Sequence, residues 1–128
     1  MTEVDIILPT YNCEKYIEET MDSIIRQSFT NWKLMIIDDG SKDNTPFLIN
    51  KYLNDKRIIF KKLEENKGQG FCRNLALKSV SSNYVAFIDA DDIWDSDKLK
   101  KQIALMNNLN LDFTYSNYKS FSEIDGVK

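Results

Sequence analysis

The chain has 128 residues, 42% hydrophobic and 29% charged, with a formal net charge of −3; it is long enough for one domain with a real core, and no basic, aromatic-interleaved patch points to nucleic acid. It contains no histidine, which removes His-based triads, HExxH sites and most zinc chemistry together. No apolar run reaches transmembrane length, no signal-peptide pattern is present, and Cys13 and Cys72 have no CxxC partner, so a cytoplasmic chain with reduced thiols is expected.

Val4-Asp-Ile-Ile-Leu8 reads as a first buried strand, ended by Pro9, which cannot donate to a ladder. Thr10-Tyr11-Asn12 leads into a helix from about Glu14 to Gln27, with Ile17, Met21, Ile24 and Ile25 on one face. Glu14, Glu18 and Glu19 lie near its positive end. Ser28 to Trp32 is a connector, and Leu34-Met-Ile-Ile37 a second strand that runs into the turn sequence Asp38-Asp39-Gly40-Ser41. A second helix is expected from Thr45 to Leu53, with Pro46 in its first turn. Arg57 to Lys61 is a short third strand, followed by the loop Glu64-Glu-Asn-Lys-Gly-Gln-Gly70 and a helix from Phe71 to about Val80.

Tyr84 to Ile88 is the fourth strand, and it runs straight into Asp89, Asp91 and Asp92. A helix from about Asp97 to Asn107 is expected next, capped by Ser96 or Asp95, then a fifth strand from Leu111 to Tyr115. The tail from Ser120 to Lys128 has no periodicity. Alternating strands and helices predict a three-layer α/β/α fold around a mostly parallel sheet.

In such a sheet, ligands bind at the carboxyl edge of the strands. Three strand ends here carry polar groups: Thr10-Tyr11-Asn12, Asp38 to Ser41, and Asp89 to Asp92. Two carboxylates about 5 Å apart repel by roughly 3 kcal/mol at an effective dielectric of 20, so a cation belongs there, and Asp oxygens suit Mg²⁺ or Mn²⁺. Tyr11 suits stacking on a planar base, and Asp39 suits a base N–H or a ribose hydroxyl. Lys67 and Arg73 suit a phosphate or base oxygen, and Gly68 and Gly70 permit close backbone approach.

Taken singly, each residue also has a structural reading. Tyr11 would cover the sheet end, Asp38 would serve its turn, Lys67 would be a solvated charge, and one of the three acids after the fourth strand would be a cap or turn former. Gly68-Gln69-Gly70 follows the third strand, not the first, and lacks the rest of a dinucleotide fingerprint. Convergence on one edge favours a ligand site.

Pro9-Thr-Tyr-Asn12, Ile36-Ile-Asp-Asp-Gly-Ser41 with Asp43-Asn44-Thr45, Asn66-Lys-Gly68 with Arg73-Asn74, and Phe87-Ile-Asp-Ala-Asp-Asp92 stand in this order. Together they resemble the motifs of family 2 glycosyltransferases, and Trp94, Lys98, Leu99 and Gln102 extend the likeness. The resemblance implies a GT-A nucleotide-diphospho-sugar-binding fold and inverting transfer of a sugar from a donor, usually a UDP-sugar, in polysaccharide or glycoconjugate synthesis. It places the metal, Mn²⁺ or Mg²⁺, on Asp91 with Asp89 nearby. It places the donor nucleotide against Pro9, Thr10, Tyr11, Asp39, Lys67, Arg73, Asp89 and Ala90. Cys72 departs from the alanine usual before the arginine.

The family's general base lies well beyond the metal motif, and Phe113 to Lys128 offers none, since Glu123 and Asp125 sit in the unpatterned tail. Residues 1–128 are therefore expected to be a single donor-binding domain without the acceptor half, weak or inactive by itself. Whether the acceptor is a glycan, a lipid-linked sugar or a protein is left open. Competing readings are a non-catalytic nucleotide-sugar-binding module, an aspartyl-phosphate phosphotransferase using Asp89-Ala90-Asp91, and a structural α/β domain.

Overall fold

The computed structural model describes residues 2–110. Elements alternate as β1 (Val4–Thr10), α1 (Ile17–Ile25), β2 (Trp32–Asp38), α2 (Thr45–Asn50), β3 (Ile58–Lys62), α3 (Gln69–Leu77), β4 (Tyr84–Phe87) and α4 (Lys98–Leu109). The strands form one sheet in the order β3-β2-β1-β4, and every pairing is parallel. The expected strand at Leu111–Tyr115 and the tail lie outside the described residues.

Two layers cover the sheet, as alternation along the strands requires. Val4, Ile6 and Leu8 of β1 and Trp32, Leu34 and Ile36 of β2 share one core with Ile17, Met21 and Ile24 of α1, Ile49 of α2, and Leu99 and Ile103 of α4. Ile7, Met35 and Ile37 point the other way and pack with Cys72 and Ala76 of α3. All seven residues of β1 are buried. This central strand is therefore covered on both faces, and its one acid, Asp5, is buried with it and accepts the Ser81 and Ser82 N–H groups, each at 3.0 Å.

Pro9 does not end β1. It pairs in register with Ile37 inside the strand. The Ile7 carbonyl accepts the Ile88 N–H and the Glu3 carbonyl accepts the Tyr84 N–H, so odd-numbered residues of β1 turn their backbone polar groups toward β4. That pairing stops at Ile7 with Phe87. The N–H that Pro9 lacks would face a position with no ladder partner, so its absence costs no bond. β2 also starts earlier than expected, because Trp32 pairs with Val4.

Two helix starts differ from the sequence reading. α3 begins at Gln69, so Gly70 is helical, not a loop residue. Neither Ser96 nor Asp95 caps α4: Asp97 occupies that position without a side-chain capping bond. Asp95 Oδ1 already accepts the Asp97 N–H at 3.0 Å, and Asp97 Oδ1 is taken by the Ser28 hydroxyl at 2.6 Å. α2 stops at Asn50, and residues 51–54 continue as turns.

The entry to β3 is held by charge. The Arg57 guanidinium donates to Asp55 at 2.7 Å through Nη2 and stacks 3.8 Å from the Trp32 ring centroid. The Arg57 hydrogen bond, opposed by partial burial, holds the Asp55 carboxyl below its usual 3.8. A depressed folded-state value stabilises the protein above the unfolded value, and the contribution is lost as pH falls through the depressed one. Arg57→Ala is thus expected to lower the melting temperature at pH 7, with the gap from wild type narrowing as pH falls below 3.8. Melting curves from pH 7 to pH 2.5 check this; a gap independent of pH would leave the Trp32 stacking and the Arg57 bond to the Thr30 carbonyl as its causes.

Among the described residues no helix is long and apolar enough to cross a membrane.

Candidate functional site

Parallel pairing brings the carboxyl ends of β1, β2 and β4 to one edge of the sheet, and the loops there are joined by side-chain hydrogen bonds. Asp38, at the end of β2, has no exposed surface. Its Oδ1 accepts the Thr10 hydroxyl at 2.8 Å and the Ser41 hydroxyl at 2.6 Å, and its Oδ2 accepts the Ser41 N–H at 2.8 Å. The Ser41 hydroxyl in turn accepts the Asn12 N–H at 2.8 Å. Asn12, in the left-handed region at φ 46, accepts the Lys42 N–H at 2.8 Å through Oδ1. The Thr45 hydroxyl accepts the Cys13 N–H at 2.9 Å. The two loops act as one unit.

Asp39 is 2% exposed. Its Oδ1 accepts the Lys67 N–H at 2.6 Å and its Oδ2 the Gly68 N–H at 2.9 Å, which clamps the loop after β3 onto the end of β2. Gly40 makes that apposition possible. It has φ +78, and a Cβ there would stand 2.9 Å from the Glu65 carbonyl carbon, a clash with backbone that no side-chain movement relieves. Gly40→Ala is expected to cost about 2–4 kcal/mol from strained φ plus backbone displacement, read as a lower urea midpoint with an unchanged m-value. A midpoint within error of wild type would contradict the close packing of these loops.

The predicted cations are placed differently from each other. Lys67 pairs with Glu65 at 2.9 Å, both well exposed. Arg73, on α3, donates from Nη2 to Asp89 Oδ1 at 2.9 Å. Arg73, Phe87, Asp89 and Asp92 line a cleft of about 350 Å³, and Leu63, Glu64, Glu65, Lys67 and Phe71 line another of about 480 Å³ beside the clamp. Tyr11 is 45% exposed at the loop tip. Burial first, then the Asp39 charge and a hydrogen bond to it, pushes the Cys72 thiol up to about 11.

After β4 the chain turns tightly, with the Asp92 N–H donating to the Asp89 carbonyl at 3.0 Å. Asp92 Oδ2 faces the Asp89 N–H at 3.4 Å, so Asp92 is the acid that serves the turn. Partial desolvation of its carboxyl, with the Asp89 and Asp91 charges beside it, raises it above its usual value against the lowering effect of that N–H. Asp89 and Asp91 are exposed. Among the described residues no three His, Cys, Asp or Glu side chains converge as a ready-made metal cage. One or two carboxylates on an open turn are nonetheless the donor set with which Mg²⁺ is held when substrate phosphates complete its shell. The residues fit such an ion.

Residues not singled out by the sequence hold this turn in place. The Thr20 hydroxyl of α1 donates to the Ala90 carbonyl at 2.8 Å. Gln27, 3% exposed, donates to the Asp95 carbonyl at 2.6 Å and accepts the Leu99 N–H at 3.1 Å. For Thr20 the signal was available: it lies among Ile17, Met21 and Ile24 on the apolar face of α1, where a polar side chain needs a buried partner.

A family model described as Glycosyl transferase family 2 matches residues 5–127. The chain is 42% identical over 116 residues to the Escherichia coli protein named UDP-Glc:alpha-D-GlcNAc-diphosphoundecaprenol beta-1,3-glucosyltransferase WfgD, covering 91% of this chain and 46% of that one. The crystal structure of S. aureus TarS 1-349 in complex with UDP-GlcNAc superposes with a TM-score of 0.79 at 35% identity, over 84% of this chain and 32% of that chain. The mannosyltransferase PcManGT from Pyrobaculum calidifontis, in complex with GDP-Man and Mn²⁺, gives a TM-score of 0.75 at 26% identity, over 81% and 32%. The chain spans about half the length of the curated relatives it matches.

Proposed function

The chain belongs to glycosyl transferase family 2, and on that premise we propose that it is the donor-binding part of an inverting, metal-dependent transferase that moves a sugar from a UDP-sugar to an acceptor hydroxyl in polysaccharide or glycoconjugate synthesis. One observation carries the reading: parallel β1, β2 and β4 end side by side, so that Tyr11, Asp39 and the Asp89–Asp91 turn share an edge with Arg73. The resemblance to a TarS structure holding UDP-GlcNAc and a PcManGT structure holding Mn²⁺ supports the donor and the ion.

In this reading Tyr11 stacks on the base, Asp39 accepts a base N–H, and Pro9 and Thr10 form the floor beneath it. Arg73 and Lys67 supply positive charge to base or phosphate oxygens. Asp91, with Asp89, would hold Mn²⁺ or Mg²⁺, which as a Lewis acid stabilises charge developing on the diphosphate leaving group. Ala90, tied to α1 through Thr20, keeps the two carboxylates on a fixed turn. A carboxylate elsewhere in the whole protein takes the acceptor proton, so turnover is proposed for the whole protein and donor binding for this chain. The name of WfgD specifies a lipid-linked diphosphate acceptor; an acceptor of that class would place the protein in the cytoplasm at the inner membrane face.

Thermal melting tests the reading. With Mn²⁺ and UDP at a hundred times Kd, binding to the folded state alone adds about 2.7 kcal/mol, and the melting temperature rises by several degrees. ADP at the same concentration is expected to raise it less. No rise with any nucleoside diphosphate would refute the donor site.

A further inference from the structure

We infer that Gly68 is a positioning residue for choice of the donor base: the main-chain clamp it completes fixes Asp39 as an acceptor that selects a base presenting a ring N–H. This rests on the proposed reading in which Asp39 meets the base. The clamp itself is a feature of the fold, made by backbone amides in a loop far from Asp39 in sequence.

Asp39 is fixed at both ends. Its own N–H donates to the Thr10 carbonyl at 2.8 Å, and its two oxygens take the Lys67 and Gly68 amides. Rotating the carboxylate would break both amide hydrogen bonds, which are partly buried. A carboxylate that receives N–H groups on both oxygens is acceptor-only and has about four lone-pair sites. Two are used by the amides and another faces the Cys72 thiol. What remains can only accept. Uracil offers N3–H to it, whereas cytosine has a lone pair on N3 and would set acceptor against acceptor.

Gly68 is the residue on which this arrangement depends. Its φ of 97 and ψ of 156 lie in a region essentially confined to glycine. A Cβ on it would meet nothing within 4 Å, so glycine is required there by backbone conformation and not by crowding. The Gly68 carbonyl also accepts the Cys72 N–H at 3.2 Å in the first turn of α3. One peptide geometry therefore directs an amide to Asp39 and starts the helix that carries Arg73.

The test measures UDP and CDP dissociation constants with Mn²⁺ for wild type, Gly68→Ala and Gly70→Ala. Gly68→Ala is expected to weaken UDP about tenfold and CDP little, so that the UDP-over-CDP preference falls about tenfold, the worth of one well-placed hydrogen bond. Gly70→Ala, inside α3 with open space around its added Cβ, keeps the wild-type preference. Amide resonances of the wild-type protein provide a second readout should Gly68→Ala not fold: at equal saturation UDP shifts Lys67 and Gly68 more than CDP does. An unchanged preference in folded Gly68→Ala, or amides that respond equally to both nucleotides, overturns this inference and leaves the donor site standing. A wild-type protein that binds no UDP overturns both.

Discussion

Asp38→Ala is expected to lose roughly 3–5 kcal/mol of stability, the largest effect of any single polar substitution at the sheet edge. Its carboxylate accepts from Thr10, from the Ser41 hydroxyl and from the Ser41 amide and has no exposed surface. Alanine strands all three donors in a dry site, at about 1–3 kcal/mol for each one that finds no water. For a domain of this size that lowers the melting temperature by roughly 10–25 °C. Asp38→Asn keeps one carbonyl oxygen but turns an NH₂ group toward hydrogen-bond donors, so its loss should be intermediate. Urea denaturation of the two variants checks the order; an alanine variant as stable as wild type would mean that water replaces the carboxylate without cost.

Asp91→Ala has the opposite profile. Asp91 is exposed, and such substitutions change stability by about 0.5 kcal/mol or less. Its effect is expected on metal binding in the presence of UDP. Loss of groups that merely orient metal ligands weakens affinity by about 10–100-fold, so removing a carboxylate that itself holds the ion should cost at least about 100-fold. Mn²⁺ electron paramagnetic resonance, with UDP saturating, reads free against bound ion directly. Equal Mn²⁺ affinity in Asp91→Ala and wild type would exclude Asp91 as a ligand.

The sequence pattern gave the alternation of strands and helices because each strand is a short apolar run and each helix keeps its periodic face. It also placed the acids of Asp38-Asp39 and Asp89 to Asp92 at strand ends, since a chain leaving a parallel strand must turn there. Strand limits were less legible. Pro9 looked like a stop because a missing N–H matters only where a partner waits, and that depends on how far β4 runs beside β1. Gly70 looked like loop because a helix start is decided here by the Gly68 backbone, one residue before Gln69. The clamp on Asp39 was not visible at all: it is made by amides of Lys67 and Gly68, and amides carry no side-chain signature. Thr20 and Gln27 were not singled out either, although Thr20 stands among Ile17, Met21 and Ile24 on the apolar face of α1.

The pair of Arg73 with Asp89 links the two halves of the proposed site, the base side and the metal side. Both side chains are partly exposed, so the pair itself adds little stability. Its consequence is for binding, because a cation that draws on Asp89 competes with Arg73 for the same oxygens.

Calorimetric titration of UDP into the protein, with Mn²⁺ and again with chelator, tests the donor-site account most directly. The expected result is one UDP per chain with Mn²⁺, at least tenfold weaker binding with chelator, and a negative heat-capacity change as the base covers Tyr11. UDP binding of equal strength with and without the metal, or none in either condition, would contradict it.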